Sequence, residues 1–99
     1  MYSDLVEIAT FVERDAVKDC VFPNDEVLPD DEEARKNRAS SIHKATSLGN
    51  LEQQKVQIIF KDAEGLKRIH TTIWAQTGSK IILKDNLHIP VHRILAIQF

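Results

Sequence analysis

Apolar residues recur along this chain with two different periods, and the change comes near Lys55. Before it, spacings of three and four dominate; after it, apolar and polar residues alternate. In DLVEIATFVERDAVKD, Leu5, Ile8, Phe11, Val12 and Ala16 fall on one side of a helix, with Ser3 or Asp4 placed to cap it. VFPNDEVLPDD is punctuated by Pro23, Asn24, Asp25 and Pro29, and reads as a linker or docked loop. A second helix is predicted over 30–48. Asp30, Asp31, Glu32 and Glu33 suit its first turn, and Gly49-Asn50 is its stop. Its apolar seam is narrow: Ala34, Ile42, Ala45 and Leu48, with Ala39 nearby. So thin a stripe must lie against something.

From Lys55 onward every element reads as strand. KVQIIFK places Val56, Ile58 and Phe60 on one face and Lys55, Gln57, Ile59 and Lys61 on the other. After the DAEG turn, LKRIHTTIWAQT sets Ile69, Thr71, Ile73 and Ala75 opposite Arg68, His70, Thr72 and Trp74. Thr77-Gly78-Ser79 leads into KIILK, and Asp85-Asn86 into NLHIPVHRI, with Leu87, Ile89 and Val91 inward. In the ending LAIQF, Leu95, Ile97 and Phe99 share a parity. Pro90 cannot donate to a ladder and belongs at an edge, a bulge or a strand end. Four to five such strands are too few for a two-sheet sandwich. They predict one bent antiparallel sheet closing into a partly open barrel, with Val56, Ile58, Phe60, Ile69, Ile73, Leu83, Ile89 and Ile97 inside. The expected class is α+β to mostly β. Residues 1–29 make an acidic N-terminal arm with room for a short helix, and residues 30–99 a helix plus a small β-barrel.

At 99 residues, 42% hydrophobic and 28% charged, the chain has the size and composition of one globular domain. Its net charge of −2 hides an asymmetry. Residues 1–33 hold eleven Asp/Glu against two Lys/Arg, while residues 34–99 hold four against eleven. Lone Cys20 excludes an internal disulfide and any cysteine-rich zinc site. No run approaches the roughly 20 apolar residues of a membrane span, and MYSDLVEIA lacks the basic start of a signal peptide. A cytoplasmic protein without membrane contact is expected.

A helix followed by five bent strands is the element order of Sm-like barrels; the strands alone also suit an SH3-like barrel. SLGNLEQQKVQIIFKDAEG and IHTTIWAQTGSKIILKDNLHIPVHRILAIQF resemble small bacterial proteins of the Rho-binding antiterminator (Rof-like) type, and related short proteins of Bacteroidetes-type bacteria. The likeness rests on the helix before the first strand, the acidic-Gly turn, and the spacing of apolar residues around Ile89-Pro90 from Leu87 to Ile97. It covers roughly residues 47–99. It implies a barrel that binds the termination factor Rho through an acidic face and competes with its RNA. In this chain the acid-rich stretch lies outside the matched region.

Candidate chemistry is sparse. His70, His88 and His92, with His43 from the helix, hold zinc only if their nitrogens converge to about 2 Å of one point. Four residues of strand separate side chains by about 13 Å, so solvated or edge-capping histidines are the expectation, with no metal or cofactor. Ser40, Ser41, Thr71 and Thr72 have no base at a telling spacing, Cys20 has no nearby His, and no Gly-rich phosphate loop occurs. No catalytic residue is assigned. Trp74 shares a parity with Arg68 and His70, and reads either as the packing surface for helix 30–48 or as a stacking platform for a base or a protein partner. The basic set is Lys55, Lys61, Lys67, Arg68, Lys80, Lys84 and Arg93, with Arg35, Lys36, Arg38 and Lys44 on the helix. It serves phosphate contact, solubility or pairing with the acidic arm. The candidate surface is Trp74, Arg68, His70, Lys55, Lys67 and Arg93. Two roles remain open. One is a non-catalytic binding module in transcription or RNA metabolism, touching protein or RNA. The other is an assembly subunit that self-associates through strand edges.

Overall fold

In the computed structural model, which describes residues 2–99 and side chains from Leu5 onward, the change of period after Lys55 marks the change from helix to sheet. The fold is α+β: one long helix and seven strands in two sheets. Helix α1 is Tyr2–Ile8, strand β1 Thr10–Phe11 and helix α2 Glu32–Glu52. Strands β2 (Val56–Asp62), β3 (Gly65–Thr71), β4 (Ile73–Thr77), β5 (Lys80–Leu83), β6 (His88–Pro90) and β7 (Ile94–Gln98) follow. The single bent sheet expected after Lys55 is two sheets, ordered β1-β3-β2-β7 and β4-β5-β6. Only Thr72 separates β3 from β4, and a 3₁₀ turn at Val91–Arg93 separates β6 from β7.

Both sheets contribute to one core. Val56, Ile58, Phe60, Ile69, Ile73, Leu83, Ile89 and Ile97 all lie in it, as the alternation predicts. The packing surface of α2 is the stripe Arg38, Ile42, Ala45 and Gly49, at spacings of four, three and four. Ile42 and Ala45 are where the seam places them, whereas Ala39 is exposed and Leu48 only half-buried. The helix does not stop at Gly49. It runs on to Glu52 and closes at Gln53, whose φ of 54° is left-handed, with the Gln54 amide donating to the Leu48 carbonyl. Gly49 is needed for approach instead: a Cβ there would sit 2.3 Å from the Ile73 carbonyl oxygen. At the other end the Asp31 side chain accepts the Ala34 amide proton as N-cap, so Asp30 lies outside the helix.

The N-terminal segment departs furthest from the helical spacing of three and four. One helix over DLVEIATFVERDAVKD is replaced by α1, β1 and a 3₁₀ helix at Arg14–Asp19; the Ser3 and Asp4 side chains lie outside the described residues. β1 pairs in parallel with β3, Thr10 opposite Lys67 and Phe11 opposite Arg68, and the Val12 amide donates to the Arg68 carbonyl. Satisfying this sheet edge competes with helix continuation and wins locally. Ile8 is left 69% exposed, while Val17 enters the main core. Ile59, expected on a polar face, is buried with Ala9 and Ala96, and Leu5, Val6, Leu66 and Leu95 pack around them. The second face of β2 is therefore covered by α1 and its neighbours.

Two one-residue irregularities reset the strand parity. In the β2–β7 ladder Ile59 pairs with Ala96 but Phe60 with Ile94, so Leu95 is the extra residue. Ile94 and Ile97 then both face the main core, and the shared parity of Leu95, Ile97 and Phe99 is lost. In the β4–β5 ladder Ile73 pairs with Leu83 but Ala75 with Ile82, and Trp74 is the extra residue. Bulges of this kind redirect one side chain out of the pleat.

Candidate functional site

The loop at residues 20–29 is held by two buried arginines rather than lying as an open linker. Arg38 of α2, 6% exposed, donates from Nη1 and Nη2 to both carboxylate oxygens of Glu26, at 2.7 and 2.6 Å, and to the Ile94 carbonyl at 3.0 Å. Arg93, 4% exposed, donates to the Lys61 carbonyl at 2.9 Å and to both the carbonyl and the carboxylate of Asp25. The His92 Nε2 donates to the Pro23 carbonyl at 3.0 Å, and Phe22 packs on Phe60 with ring centroids 5.9 Å apart. Acid–base pairing between the N-terminal third and the basic remainder therefore exists, but it is spent on buried guanidinium groups.

This removes Arg93 from the candidate surface. Lys67 is also engaged, donating to Asp62 and Glu64, both at 2.6 Å. Asp62 accepts the Glu64 and Gly65 amides as well, closing the β2–β3 turn. Arg68 is half-buried, donates to Gln57 and lies over the Phe11 ring at 5.2 Å. Lys55, Lys67, Arg68 and Arg93 do not form one exposed patch. His70 is exposed, and His88 Nε2 lies 3.2 Å from the Asn86 side-chain oxygen. Among the described residues no three His, Cys, Asp or Glu side chains gather where they would hold a metal ion. Burial and the Asp62 carboxylate push the Cys20 thiol up to about 11, which leaves it protonated at neutral pH.

Charge pairing fixes the acid response of the loop. The Arg38 guanidinium holds the Glu26 carboxyl below the usual carboxylate range. Burial alone would raise Asp62, but the Lys67 ammonium and the turn amides bring it below that range too. Groups depressed in the folded state stabilise it above their ordinary pKa of roughly 4, and that stability is lost as pH falls further. Glu26→Gln is therefore expected to flatten the acid branch of a melting-temperature profile below about pH 4.5. An unchanged slope would show that Arg38 draws nothing from the carboxylate.

Trp74 and Lys55 remain, and the fold brings them together with residues that parity did not indicate. A cleft of about 130 Å³ is lined by Arg14, Gln53, Lys55, Thr71, Thr72, Trp74 and Lys84. Trp74 is 53% exposed, and α2 packs beside it, with Gly49 against Ile73, rather than covering it. Lys55 and Lys84 are exposed and make no ion pair among the described residues. Arg14 is oriented from the side: Nη2 donates to Asp85 at 2.7 Å, and its buried Nε has no hydrogen-bond partner among the described residues. The floor is fixed by the Thr72 hydroxyl, which donates to the Gln53 carbonyl at 3.3 Å. Two of the three non-glycine residues with left-handed backbone adjoin the cleft: Gln53 lines it, and Asp85 holds Arg14. Cations around a half-exposed indole, with no carboxylate in the lining, suit a flat ring carrying a phosphate. Arg14 had no signal in the sequence beyond being one of two bases in an acidic third. Its partner Asp85 is 71 residues away.

Comparison of the chain with models of known families, with curated proteins and with solved structures finds no match to any of them.

Proposed function

We propose that this protein is a non-catalytic binding module that contacts single-stranded RNA through the Trp74 cleft, in transcription or RNA metabolism. The observation that carries this reading is the 53% exposed Trp74, the extra residue of the β4–β5 ladder, in a cleft it shares with Lys55 and Lys84, which make no ion pair among the described residues. Base stacking on an exposed aromatic beside backbone-tracking cations is the general solution for single-strand binding. The scaffold for it is a partly open barrel of the Sm-like or SH3-like kind. Supporting that are the continuity of β3 into β4 through Thr72, of β6 into β7 through Val91–Arg93, and the core shared by both sheets. The Rho-binding antiterminator resemblance agrees with a role beside RNA.

Titration of a fluorescent single-stranded RNA at two salt concentrations tests it. Binding is expected, weakening steeply with salt, with Lys55→Ala and Lys84→Ala each lowering the magnitude of the logarithmic salt slope by about 0.7. Trp74→Ala removes a stacking contact of about 1–3 kcal/mol, a loss of roughly fivefold to 150-fold in affinity. Because Trp74 is half-exposed, this variant keeps its fold, which far-UV circular dichroism verifies. Binding indifferent to Trp74→Ala overturns the stacking role. No binding by the parent chain at low salt overturns the RNA reading and leaves a protein partner, for which Leu51, 82% exposed near the end of α2, is the best anchor.

A further inference from the structure

The Trp74 cleft does not end at Lys55. A second cleft of about 190 Å³ continues from it, sharing Arg14 and Lys55 and lined further by Phe11, Val12, Glu13, Asp15 and His70. The two lie along one bent strand path, with His70 on one and Trp74 on the other. Four residues of strand span at most about 13 Å, which is more than one base covers. A base stacked on Trp74 thus leaves the second cleft open to the adjoining nucleotide, with the linking phosphate beside the shared Arg14 and Lys55.

The clefts differ in charge. The first has Arg14, Lys55 and Lys84 and no carboxylate, whereas the second adds Glu13 and Asp15, both exposed. Carboxylates repel phosphate and accept hydrogen bonds from amino groups. Cytosine offers an N4 amine where the matching pyrimidine offers only the O4 carbonyl. We infer that this second cleft reads the nucleotide next to the one on Trp74, and selects a base with an exocyclic amine through Glu13 and Asp15. The inference rests on the RNA reading above. Phe11, 47% exposed, lines this otherwise polar cleft, with the Arg68 guanidinium 5.2 Å from its ring centroid. The Arg14 Nε lies 3.9 Å from Asp15, which places that carboxylate at the boundary between phosphate and base.

The experiment uses the full chain, whose only tryptophan is Trp74, and follows quenching of its fluorescence by oligo-C and oligo-U of equal length at low salt. These ligands have bases of the same ring size and differ at position 4. Oligo-C is expected to bind about fivefold or more tighter, a margin of the size that charge-assisted hydrogen bonds give. In the double variant Glu13→Gln, Asp15→Asn both ligands gain from reduced repulsion, and the ratio between them falls toward one. Equal affinities in the parent chain, with quenching intact, overturn the amine-reading cleft and leave RNA binding standing. A cytosine preference that survives the double substitution also overturns it, since the amine is then read elsewhere. Absence of quenching by either ligand overturns the RNA reading itself, and this inference with it.

Discussion

Arg38→Ala is expected to destabilise the fold by about 3 kcal/mol, lowering the melting temperature by about 12–24 °C for a chain of this size. The loss has three parts. Glu26 loses a bidentate partner, the Ile94 carbonyl loses its Arg38 donor, and the cavity under α2 is left without the guanidinium stem. The value lies at the lower end for a buried pair because Glu26 keeps partial access to water, its side chain being 27% exposed. Chemical denaturation at pH 7 gives the number. The double replacement Arg38→Met, Glu26→Gln separates the causes. It removes both charges together and keeps the volume, so it should recover much of the loss. Equal destabilisation by the single and the double variant would place the effect in the lost ion pair and the Arg38 bond to the Ile94 carbonyl rather than in packing or an orphaned charge. No loss from Arg38→Ala would mean that the loop at 20–29 is not held by this pair.

Gly49→Ala carries the second largest expectation, and its sign is opposite to the usual one. In an exposed helix interior this change stabilises by about 1 kcal/mol. Here the added methyl meets the Ile73 backbone oxygen at 2.3 Å and the Thr72 methyl at 2.9 Å. A strand carbonyl cannot rotate away as a flexible side chain does, so the end of α2 must lift. A net loss of about 2 kcal/mol is expected. Trp74 lies beside Gly49 across a small cleft also lined by Asn50 and Gln53, so its emission should shift in the same variant. A more stable Gly49→Ala protein would show that α2 slides on β4 at little cost.

The particular residues show why the sequence could be read only in part. The core positions from Val56 to Ile97 were legible because alternation is set by backbone geometry, and each strand keeps it until a bulge intervenes. The bulges themselves left no mark. Trp74 and Leu95 are ordinary strand residues, and only pairing partners reveal that each is one too many. The N-terminal pattern misled because Leu5, Ile8, Phe11, Val12 and Ala16 fit one helical face as well as they fit three short elements and their connections. Gly49 read as a helix stop because a glycine kept for close approach looks the same in sequence as one kept for a left-handed turn. The site was least legible of all. Trp74 and Lys55 stood out by type, but Lys67 and Arg93 did too, and nothing local distinguished cations held by Asp62 and Asp25 from free ones.

The ties between the two ends of the chain also govern the order in which it folds. Arg14 holds Asp85 across 71 residues, Pro23 meets His92 across 69, and Asp25 meets Arg93 across 68. A chain emerging from the ribosome presents its acidic third long before any of these partners exists. Until then that segment is a self-repelling strand of high charge, which keeps it dispersed and leaves Val17 and Phe22 without a core to enter. Its parallel pairing with β3 and its contacts to Asp85, His92 and Arg93 demand closure of large loops, the slowest class of contact to form, whereas Glu26 meets Arg38 across only 12 residues. Docking of residues 10–25 on the sheets thus comes late, and a ribosome paused before Arg93 would hold a chain in which Asp25 still lacks its partner while Glu26 can already meet Arg38.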